Sequence, residues 1–592
     1  MNTIPERLAA LRQLMAERGI DTWVVLSEDA HQSEYVAPYW RARAYMSGFT
    51  GSAGVLAVTK DQACLWTDGR YFLQAEAQLK DSGITLMRMG EPGVPTWLTW
   101  TAEVTPEHGC VGIDGRTLST AQARNMKRQW EKKGLRLDCR EDLVGQLWPD
   151  RPPLPATPVF DLPVCYAGKS RGEKLAELRE HMARQGADAY LIGSLESCAW
   201  LLNYRGQDIA GTPVAYAYVL VGRDNVQLFM EPVKVPAELL SVWQAEGIQL
   251  RPYHEAAEVM QTLDNAVLLY DPASISVMLT ELLPETCQTI EEREFPMLQR
   301  ALKNETEQEN IREAHRKDGA VMVRFLRWIK NAVRTECLRE DEAAARLDAM
   351  REAQPNSLGI SFDTIAGYGE NGAVIHYHAN PGEGAALAPK GFLLVDSGAQ
   401  YLEGTTDITR TIALGELTEA EKKAYTLVLK GHIALAEAVF TDRTTGPRLD
   451  VLARQPLWEH GMDYKHGTGH GVGFVLSVHE GPQNIGPSNN TTVLQPGMVV
   501  SDEPGYYEAG KFGVRIENLL MVQTKEETPW GRFLQMENLT LCPYEREAID
   551  ITLLTERERA WINAYHQRVR QELSPRLEAE DRQWLEQATE EL

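Results

Sequence analysis

GFLLVDSGAQYLEGTTDITRT, residues 391–411, is the first of three segments that decide how this chain folds. Its apolar run, residues 392–395, predicts a buried strand that ends at Asp396, and a second strand carries Asp407. A hairpin folded about Tyr401 and Leu402 would bring Asp396 roughly opposite Asp407. Facing side chains on paired strands lie about 5 Å apart. Two carboxylates at that distance must share either a proton or a cation.

The third segment, VVSDEPGYYEAGKFGVRIEN at residues 499–518, repeats this arrangement. Its glycines suit turns and bulges, because glycine adopts backbone conformations that other residues avoid. Folding about Gly510 would place Glu503 opposite Glu517. The sequence therefore predicts a second hairpin with a second pair of acids.

The middle segment, KHGTGHGVG at residues 465–473, supplies imidazoles in a glycine-rich setting that lets backbone segments come close. Four carboxylates and a histidine form an oxygen-rich ligand set. Such a set suits a pair of divalent ions, for example Mn, Fe, Co or Zn, better than a thiolate site would. We therefore predict a metal centre with the ligands Asp396, Asp407, His470, Glu503 and Glu517.

This ordered ligand set resembles the dinuclear site of the pita-bread metallopeptidases, which include methionine aminopeptidases, prolidases and aminopeptidases P. Within that group, the motifs DSGAQY, GTTDITRT, HGTGHGVG and HEGP, which begin at residues 396, 404, 466 and 479, resemble aminopeptidase P of family M24B in its long three-domain form. The resemblance implies an α+β pita-bread catalytic domain and two metal ions per chain. It also implies manganese as the ion, with zinc or cobalt as substitutes, and a homodimer.

Composition limits the class of protein and its partners. The chain has 592 residues, of which 43% are hydrophobic, and a net charge of −24. The negative charge argues against nucleic acid or an anionic membrane as a partner. Eight cysteines without a CxxC pair are typical of reduced cytoplasmic thiols. The N-terminal segment lacks the apolar core of a signal peptide, and no apolar run is long enough to span a bilayer. We therefore expect a cytoplasmic protein.

The first part of the chain alternates helix and strand patterns, which predicts an α/β fold. An amphipathic helix at Pro5–Arg18 is followed by candidate strands at Thr22–Leu26, Gly54–Val58 and Ala63–Thr67. Six prolines between Pro149 and Pro163 then mark a linker, because neither a helix nor a central strand tolerates that density.

The pattern of the first helix returns after the linker. KLAELREHMARQGADAY at residues 174–190 parallels RLAALRQLMAERGIDTW at residues 7–23, and the apolar, glycine and aspartate positions match at a constant offset. This predicts a duplicated domain, and the family resemblance likewise implies two creatinase-like domains before the catalytic one. We expect domains at 1–150, 164–300 and 302–592, the last with a helical C-terminal extension that serves packing or an interface.

Seven of the thirteen histidines lie between residues 376 and 479, as an imidazole-lined cleft would require. The resemblance places three histidines around the metal ligands: His376, His466 and His479. His378 would share the face of His376 if that segment were a strand, and we interpret it as an accessory or surface residue. His432 and His460 have no motif around them, so we predict that they are solvated.

Two further residues near the third segment have candidate roles. Arg515 lies two residues before Glu517 and shares its face on a strand, so its guanidinium can orient the carboxylate ligands; VRIEN also matches the family. Tyr507 matches a tyrosine near the family's site and is the candidate for substrate binding, although its neighbour Tyr506 remains an alternative.

The resemblance implies a metallo-aminopeptidase that removes the residue before proline from peptides with proline at position 2. A water or hydroxide between the two ions would attack the peptide bond, with Glu503 accepting its proton. His479 would donate a hydrogen bond to the scissile carbonyl, while His376 and His466 would line the proline side.

Two alternatives remain for the function. A prolidase, which cleaves only Xaa-Pro dipeptides, shares the ligands, but the three-domain length and the DSGAQY and HEGP motifs disfavour it. A pita-bread module that binds peptides without catalysis is the other alternative. Such modules lose metal ligands, whereas all five are present here.

Overall fold

The computed structural model describes residues 3–592, which fall into two compact units. One unit holds the residues up to Asp161 together with Lys169–Ala210 and Val214–Met297. The other holds Leu162–Gly168, Gly211–Pro213 and Leu298–Leu592.

The first unit begins with a six-stranded sheet in the order β4-β3-β2-β1-β5-β6. Its strands are β1 Thr22–Val25, β2 Val55–Thr59, β3 Ala63–Thr67, β4 Thr85–Arg88, β5 Cys110–Ile113 and β6 Arg136–Asp138. Its helices are α1 Ile4–Arg18, α2 Ala42–Ser47, α3 Phe72–Gln78, α4 Trp97–Val104, α5 Thr120–Trp130 and α6 Leu143–Leu147. The predicted first helix and first three strands are thus present, with ends shifted by one residue at most.

The proline-rich segment carries neither helix nor strand from residue 149 to residue 159, as predicted for a linker. A short strand β7 Phe160–Asp161 and a short helix α7 Val164–Ala167 follow it.

A second six-stranded sheet follows in the order β12-β11-β10-β8-β13-β14, which repeats the strand order of the first sheet. Its strands, with one short extra strand, are β8 Ala189–Ile192, β9 Tyr204–Arg205, β10 Tyr218–Gly222, β11 Val226–Phe229, β12 Ile248–Arg251, β13 Val267–Tyr270 and β14 Gln288–Glu291. The helices are α8 Arg171–Gln185, α9 Leu195–Leu201, α10 Ala237–Ala245, α11 Glu255–Met260, α12 Val277–Thr280 and α13 Phe295–Ala301.

Equivalent aspartates show why the duplicated pattern folds twice in the same way. Asp21 follows α1, and one of its carboxylate oxygens accepts a hydrogen bond from the Cys110 backbone at 2.8 Å. Asp188 follows α8 and accepts one from the Val267 backbone at 2.9 Å. In both copies the aspartate therefore ties the first strand to the parallel strand beside it.

The second unit contains the three segments that opened the sequence. Its helices are α14 Glu305–Ala332, α15 Glu340–Glu352, α16 Glu419–Ala436, α17 Asp450–Trp458, α18 Glu556–Leu573 and α19 Ala579–Ala588. Its strands are β15 Ser357–Ile360, β16 Ile365–Tyr368, β17 Phe392–Ser397, β18 Ala399–Tyr401, β19 Gly404–Thr405, β20 Ile408–Ala413, β21 Val439–Thr441, β22 Gly469–His470, β23 Asn484–Ile485, β24 Val499–Asp502, β25 Gly505–Glu508, β26 Phe512–Arg515, β27 Asn518–Thr528 and β28 Gly531–Asn538.

Three helices, α14, α16 and α18, pack with strands β17, β20 and β26 around one apolar core. The helical C-terminal extension belongs to this core, because Ile562 and Val569 of α18 are fully buried in it. Burial of this kind is the main stabilising term in folding. The extension therefore has a packing role, which is one of the two roles expected for it.

Candidate active site

The first acid hairpin forms, but its register differs from the prediction. Tyr401 pairs with Gly404, so the turn is centred one residue later than predicted, between Leu402 and Glu403. This moves the pairing by two residues, and Asp396 faces Thr409 rather than Asp407. The predicted direct opposition is wrong. Because side chains two residues apart share a face of a strand, the two acids still lie diagonally on one side.

The second acid hairpin has the predicted register. Asp502 pairs with Asn518 and Gly505 pairs with Arg515, so Glu503 lies opposite Glu517 between these pairs. The turn about Gly510, whose φ is +74°, closes the hairpin. A residue with a side chain would be strained in that conformation.

His470 reaches both hairpins because the glycine-rich segment packs backbone against backbone. A Cβ on Gly469 would lie 1.9 Å from the Ser501 carbonyl oxygen, so only glycine allows this approach. The His470 Nδ1 atom lies 3.0 Å from the Gly471 carbonyl oxygen, which fixes the proton on Nδ1. Nε2 then faces the acids, at 3.5 Å from both Asp407 Oδ2 and Glu503 Oε1.

Four of the five predicted ligands lie close together. Asp407, His470 and Glu517 offer ligand atoms that lie within 4.8 Å of one another. Glu503 contacts this group through His470. In the described part of the chain, three buried oxygens of the set have no hydrogen-bond partner: Asp396 Oδ1, Asp407 Oδ1 and Glu517 Oε1. Buried oxygens without partners are costly, so this donor set fits divalent cations.

The pKa values of the acids show that burying these carboxylates close together without a cation is unfavourable. Burial raises the pKa of Asp407, and it raises the pKa of Glu503 to about 7. Burial, together with the charges of Asp407 and Asp396, holds the pKa of Glu517 well above its usual range. For His470, burial lowers the pKa, but Asp407 and Glu503 outweigh it and raise the value to about 9. A cation shared by the acids would remove this cost.

Removing the metal should therefore make stability depend on pH. An acid whose pKa is higher in the folded state than in the unfolded state stabilises the fold fully at pH values below its unfolded-state pKa, about 4 to 4.5. This stabilisation is lost as the pH rises through the folded-state pKa, which is about 7 for Glu503. The raised pKa of His470 acts in the same direction. We expect the melting temperature of chelator-treated protein to fall between about pH 5 and pH 8, while metal-loaded protein changes less. A gap between the two forms that stays constant with pH would contradict this.

Arg515 holds one oxygen of a ligand in place. Its Nη2 atom donates to Asp396 Oδ2 at 2.6 Å, and its Nη1 atom donates to the Tyr507 hydroxyl at 2.8 Å. Thr409, which sequence reasoning missed, donates its hydroxyl to Glu517 Oε2 at 2.8 Å. Asp396 and Glu517 thus each have one oxygen anchored by the protein and one without a partner among the described residues. The signal available in the sequence was that Thr409 lies two residues after Asp407 and therefore shares its face on a strand.

The structure separates the two candidate tyrosines. The hydroxyl of Tyr507 lies 2.8 Å from His466 Nε2 and also accepts from Arg515. Tyr506 instead packs against Phe512, with ring centroids 6.3 Å apart. Tyr507 is therefore the tyrosine that belongs to the site.

His479 lies beside the predicted ligands, with its ring centroid 4.2 Å from that of His470. The next residue, Glu480, is buried and accepts from Arg300 Nη1 at 2.8 Å and from Lys303 Nζ at 3.4 Å. This ion cluster anchors the loop that carries His479. No local pattern in the sequence could have revealed it, because the partners lie about 180 residues apart.

The segment with His376 is not the strand that the sequence allowed. Strand β16 ends at Tyr368, and residues 369–373 form a 3-10 helix, so His376 lies in a turn. The Ile375 carbonyl accepts a hydrogen bond from Arg515 Nη2 at 3.4 Å, which places the turn beside the site. His378 is exposed, consistent with a surface residue.

The prediction for His432 is wrong, whereas His460 is exposed as predicted. His432 is fully buried. Its Nε2 atom lies 2.9 Å from the Tyr544 hydroxyl, and its Nδ1 atom lies 3.2 Å from Asp502 Oδ2. The reason is that His432 lies on the buried face of α16, where an imidazole needs polar partners.

Known proteins match the chain along its full length. The metallopeptidase family M24 model matches residues 309–524, and a C-terminal region model of the same peptidases matches residues 532–592. The Creatinase/Prolidase N-terminal domain matches twice, at residues 7–138 and 150–307. A probable Xaa-Pro aminopeptidase P of Laccaria bicolor is 42% identical and covers 98% of this chain and 92% of its own. The chain belongs to the aminopeptidase P group of metallopeptidase family M24.

Further similar proteins extend this result. Aminopeptidase P2 of Arabidopsis thaliana is also 42% identical, over 98% of this chain and 88% of its own. The structure of an X-prolyl aminopeptidase from Caenorhabditis elegans, described as a cytosolic enzyme with a di-nuclear active site, superposes with a TM-score of 0.95 at 32% identity and covers both chains fully. A Bacillus anthracis Xaa-Pro dipeptidase covers 64% of this chain with a TM-score of 0.51. The predicted family, fold class and enzyme class are confirmed.

Among the described residues, no helix combines the length and the apolar character that crossing a bilayer requires. None of the eight cysteines forms a disulfide in the described part of the chain.

Proposed function

We propose that this chain is a metal-dependent Xaa-Pro aminopeptidase, which releases the N-terminal residue of peptides that have proline second. The observation that carries the proposal is the group formed by Asp407, His470 and Glu517, with Glu503 beside His470. Three buried carboxylate oxygens of the predicted ligand set also lack hydrogen-bond partners in the described chain. Similarity to proteins named Xaa-Pro aminopeptidase P over 98% of the chain supports the substrate class.

In this proposal two divalent ions are held by the four acids and His470, with manganese as the expected ion and zinc or cobalt as substitutes. The di-nuclear active site of the Caenorhabditis elegans enzyme supports the number of ions. Such ions polarise a carbonyl oxygen and lower the pKa of water toward neutrality. Arg515 and Thr409 keep Asp396 and Glu517 oriented for binding, since each holds one carboxylate oxygen.

Glu503 is the proposed general base. It accepts a proton from the attacking water on a carboxylate oxygen and passes that proton to the leaving proline nitrogen. The Ser501 hydroxyl donates to Glu503 Oε1 at 3.2 Å and steadies the carboxylate.

The histidines around the ligands have separate proposed tasks. His479 donates an imidazole N–H to the scissile carbonyl oxygen, where charge develops in the transition state. His376 and His466 line the proline side of the site. Tyr507 steadies His466 through the 2.8 Å contact with its Nε2 atom and shares in substrate binding.

We also propose three domains at 1–150, 164–300 and 302–592, a homodimer, and a cytoplasmic location. The positions of the family matches support the domains. Eight cysteines without a disulfide among the described residues suit a reducing compartment, and the Caenorhabditis elegans relative is described as cytosolic. The net charge of −24 supports peptides, rather than nucleic acid or membranes, as partners.

Three peptides test the substrate class. We expect the manganese-loaded protein to release arginine from Arg-Pro-Pro, with Arg-Ala-Pro cleaved roughly 10- to 200-fold less efficiently, the range that pocket shape provides. Chromatography of the products at matched peptide concentrations measures kcat/KM. Cleavage of the dipeptide Arg-Pro without cleavage of Arg-Pro-Pro would identify a prolidase, and a metal-loaded protein that cleaves none of the peptides would identify a binding module.

A further inference from the structure

A single buried carboxylate organises the segment that carries His376. Glu340, the first residue of α15, is fully buried. Its two oxygens accept hydrogen bonds from the Tyr368 N–H at 2.7 Å, the Asn371 side-chain amide at 2.9 and 3.2 Å, the Tyr377 hydroxyl at 2.8 Å and the Ala385 N–H at 2.7 Å. These donors are spread over the 18-residue stretch 368–385 and include both of its ends. The carboxylate also suits its place in the first turn of a helix, where the helix dipole favours negative charge.

The stretch has little else to define its conformation. Residues 374–385, all within the described chain, form neither helix nor strand. The neighbouring Asp341 adds one anchor, since its Oδ2 atom accepts from the Gly382 N–H at 2.7 Å. The N-terminus of α15 is therefore the support on which this irregular segment is built.

His376 lies between two fixed neighbours. On one side, the Ile375 carbonyl accepts from Arg515, which also holds Asp396. On the other side, the Tyr377 hydroxyl donates to Glu340. The two contacts restrain the backbone on both sides of His376 and tie its position to the predicted metal ligands.

We propose that Glu340 is a positioning residue that fixes His376 for substrate binding, an inference that rests on the function proposed above. Glutamine cannot replace it, because its amide has one accepting oxygen where the carboxylate has two. An NH₂ group would then face at least one N–H donor, and a buried donor left without an acceptor is costly. The segment would rearrange and displace the His376 imidazole.

The test compares Glu340→Gln with Glu342→Gln in manganese-loaded full-length protein. Glu342 is exposed in the same helix turn, and within residues 3–592 its one side-chain hydrogen bond is accepted from the Arg339 N–H at 2.9 Å. We expect Glu340→Gln to lower kcat/KM for Arg-Pro-Pro by about 10- to 100-fold, the usual effect of losing a group that orients a site residue. The loss should come mainly from KM, with unchanged metal content, and Glu342→Gln should behave as the unmodified protein. Unchanged kinetics in Glu340→Gln would overturn the proposal.

A double-mutant cycle separates positioning from a general structural effect. If Glu340 acts through His376, adding Glu340→Gln to His376→Ala should change kcat/KM by less than about twofold, since coupled residues are not additive. Full additivity of the two losses would overturn the proposal. Tyr377→Phe, which removes a single hydrogen bond to Glu340, should lower kcat/KM by a smaller factor, and this loss should also vanish in the His376→Ala background. If Glu340→Gln does not fold, the Tyr377→Phe variant provides the test.

The outcomes also distinguish this inference from the proposed function. Failure of the unmodified protein to cleave Arg-Pro-Pro would overturn the proposed function itself. An active His376→Ala variant with normal KM would overturn the role of His376 and, with it, that of Glu340. An impaired His376→Ala variant with additive Glu340→Gln effects would overturn only the inference about Glu340.

Discussion

Replacing Asp407 by asparagine should abolish activity and metal binding while leaving the protein folded. Asp407 is buried, and its carboxylate offers an oxygen within 4.8 Å of ligand atoms of both His470 and Glu517. Its Oδ1 atom has no hydrogen-bond partner in the described chain. An amide carries no charge to balance a divalent ion. Lewis-acid catalysis contributes several kcal/mol, so we expect turnover of Arg-Pro-Pro to fall by about 10³-fold or more.

The control for this variant is Asp442→Asn, which changes a half-exposed aspartate of the same unit that pairs with Arg532 at 3.5 Å. It should keep its ions and its activity. Elemental analysis and a thermal melt of both variants accompany the kinetics. An Asp407→Asn protein with full activity and two ions would rule out Asp407 as a ligand.

Replacing His479 by alanine should lower turnover far more than it lowers metal content. Its ring lies against that of His470, 4.2 Å between centroids, and it is not one of the predicted ligands. Loss of a hydrogen-bond donor to a developing oxyanion costs about 10²- to 10³-fold in kcat. We expect that loss for Arg-Pro-Pro, with two ions still bound.

His460→Ala is the matched control, because His460 is exposed on the same unit and lies outside the site. It should leave kcat unchanged. A His479→Ala protein that is inactive and has also lost its ions would instead indicate that His479 is a ligand or is needed for folding.

Local sequence patterns predicted the hairpins but not every register. Gly510 marks the second turn unambiguously, so Glu503 and Glu517 were paired correctly. In the first hairpin several residues could have formed the turn, and a shift of one residue in its centre moved Asp396 by two positions along the partner strand. Register depends on turn geometry, and the sequence left that geometry open.

Contacts between distant segments were beyond local reasoning. His432 has polar surroundings only because α16 packs it against Asp502 and Tyr544, which are 70 and 112 residues away. The same holds for Glu340, whose acceptor role depends on a segment that ends 45 residues later. The family motifs located the candidate ligands, whereas supporting contacts such as those of Thr409 and Glu480 emerged only from the folded chain.

Metal content, measured together with activity, tests the central claim most directly. Elemental analysis of the purified protein should find about two divalent ions per chain. Hydrolysis of Arg-Pro-Pro should stop after chelation and return when manganese is added. A protein that binds no metal and remains inactive with added manganese would contradict the account, despite its intact set of acids and histidine.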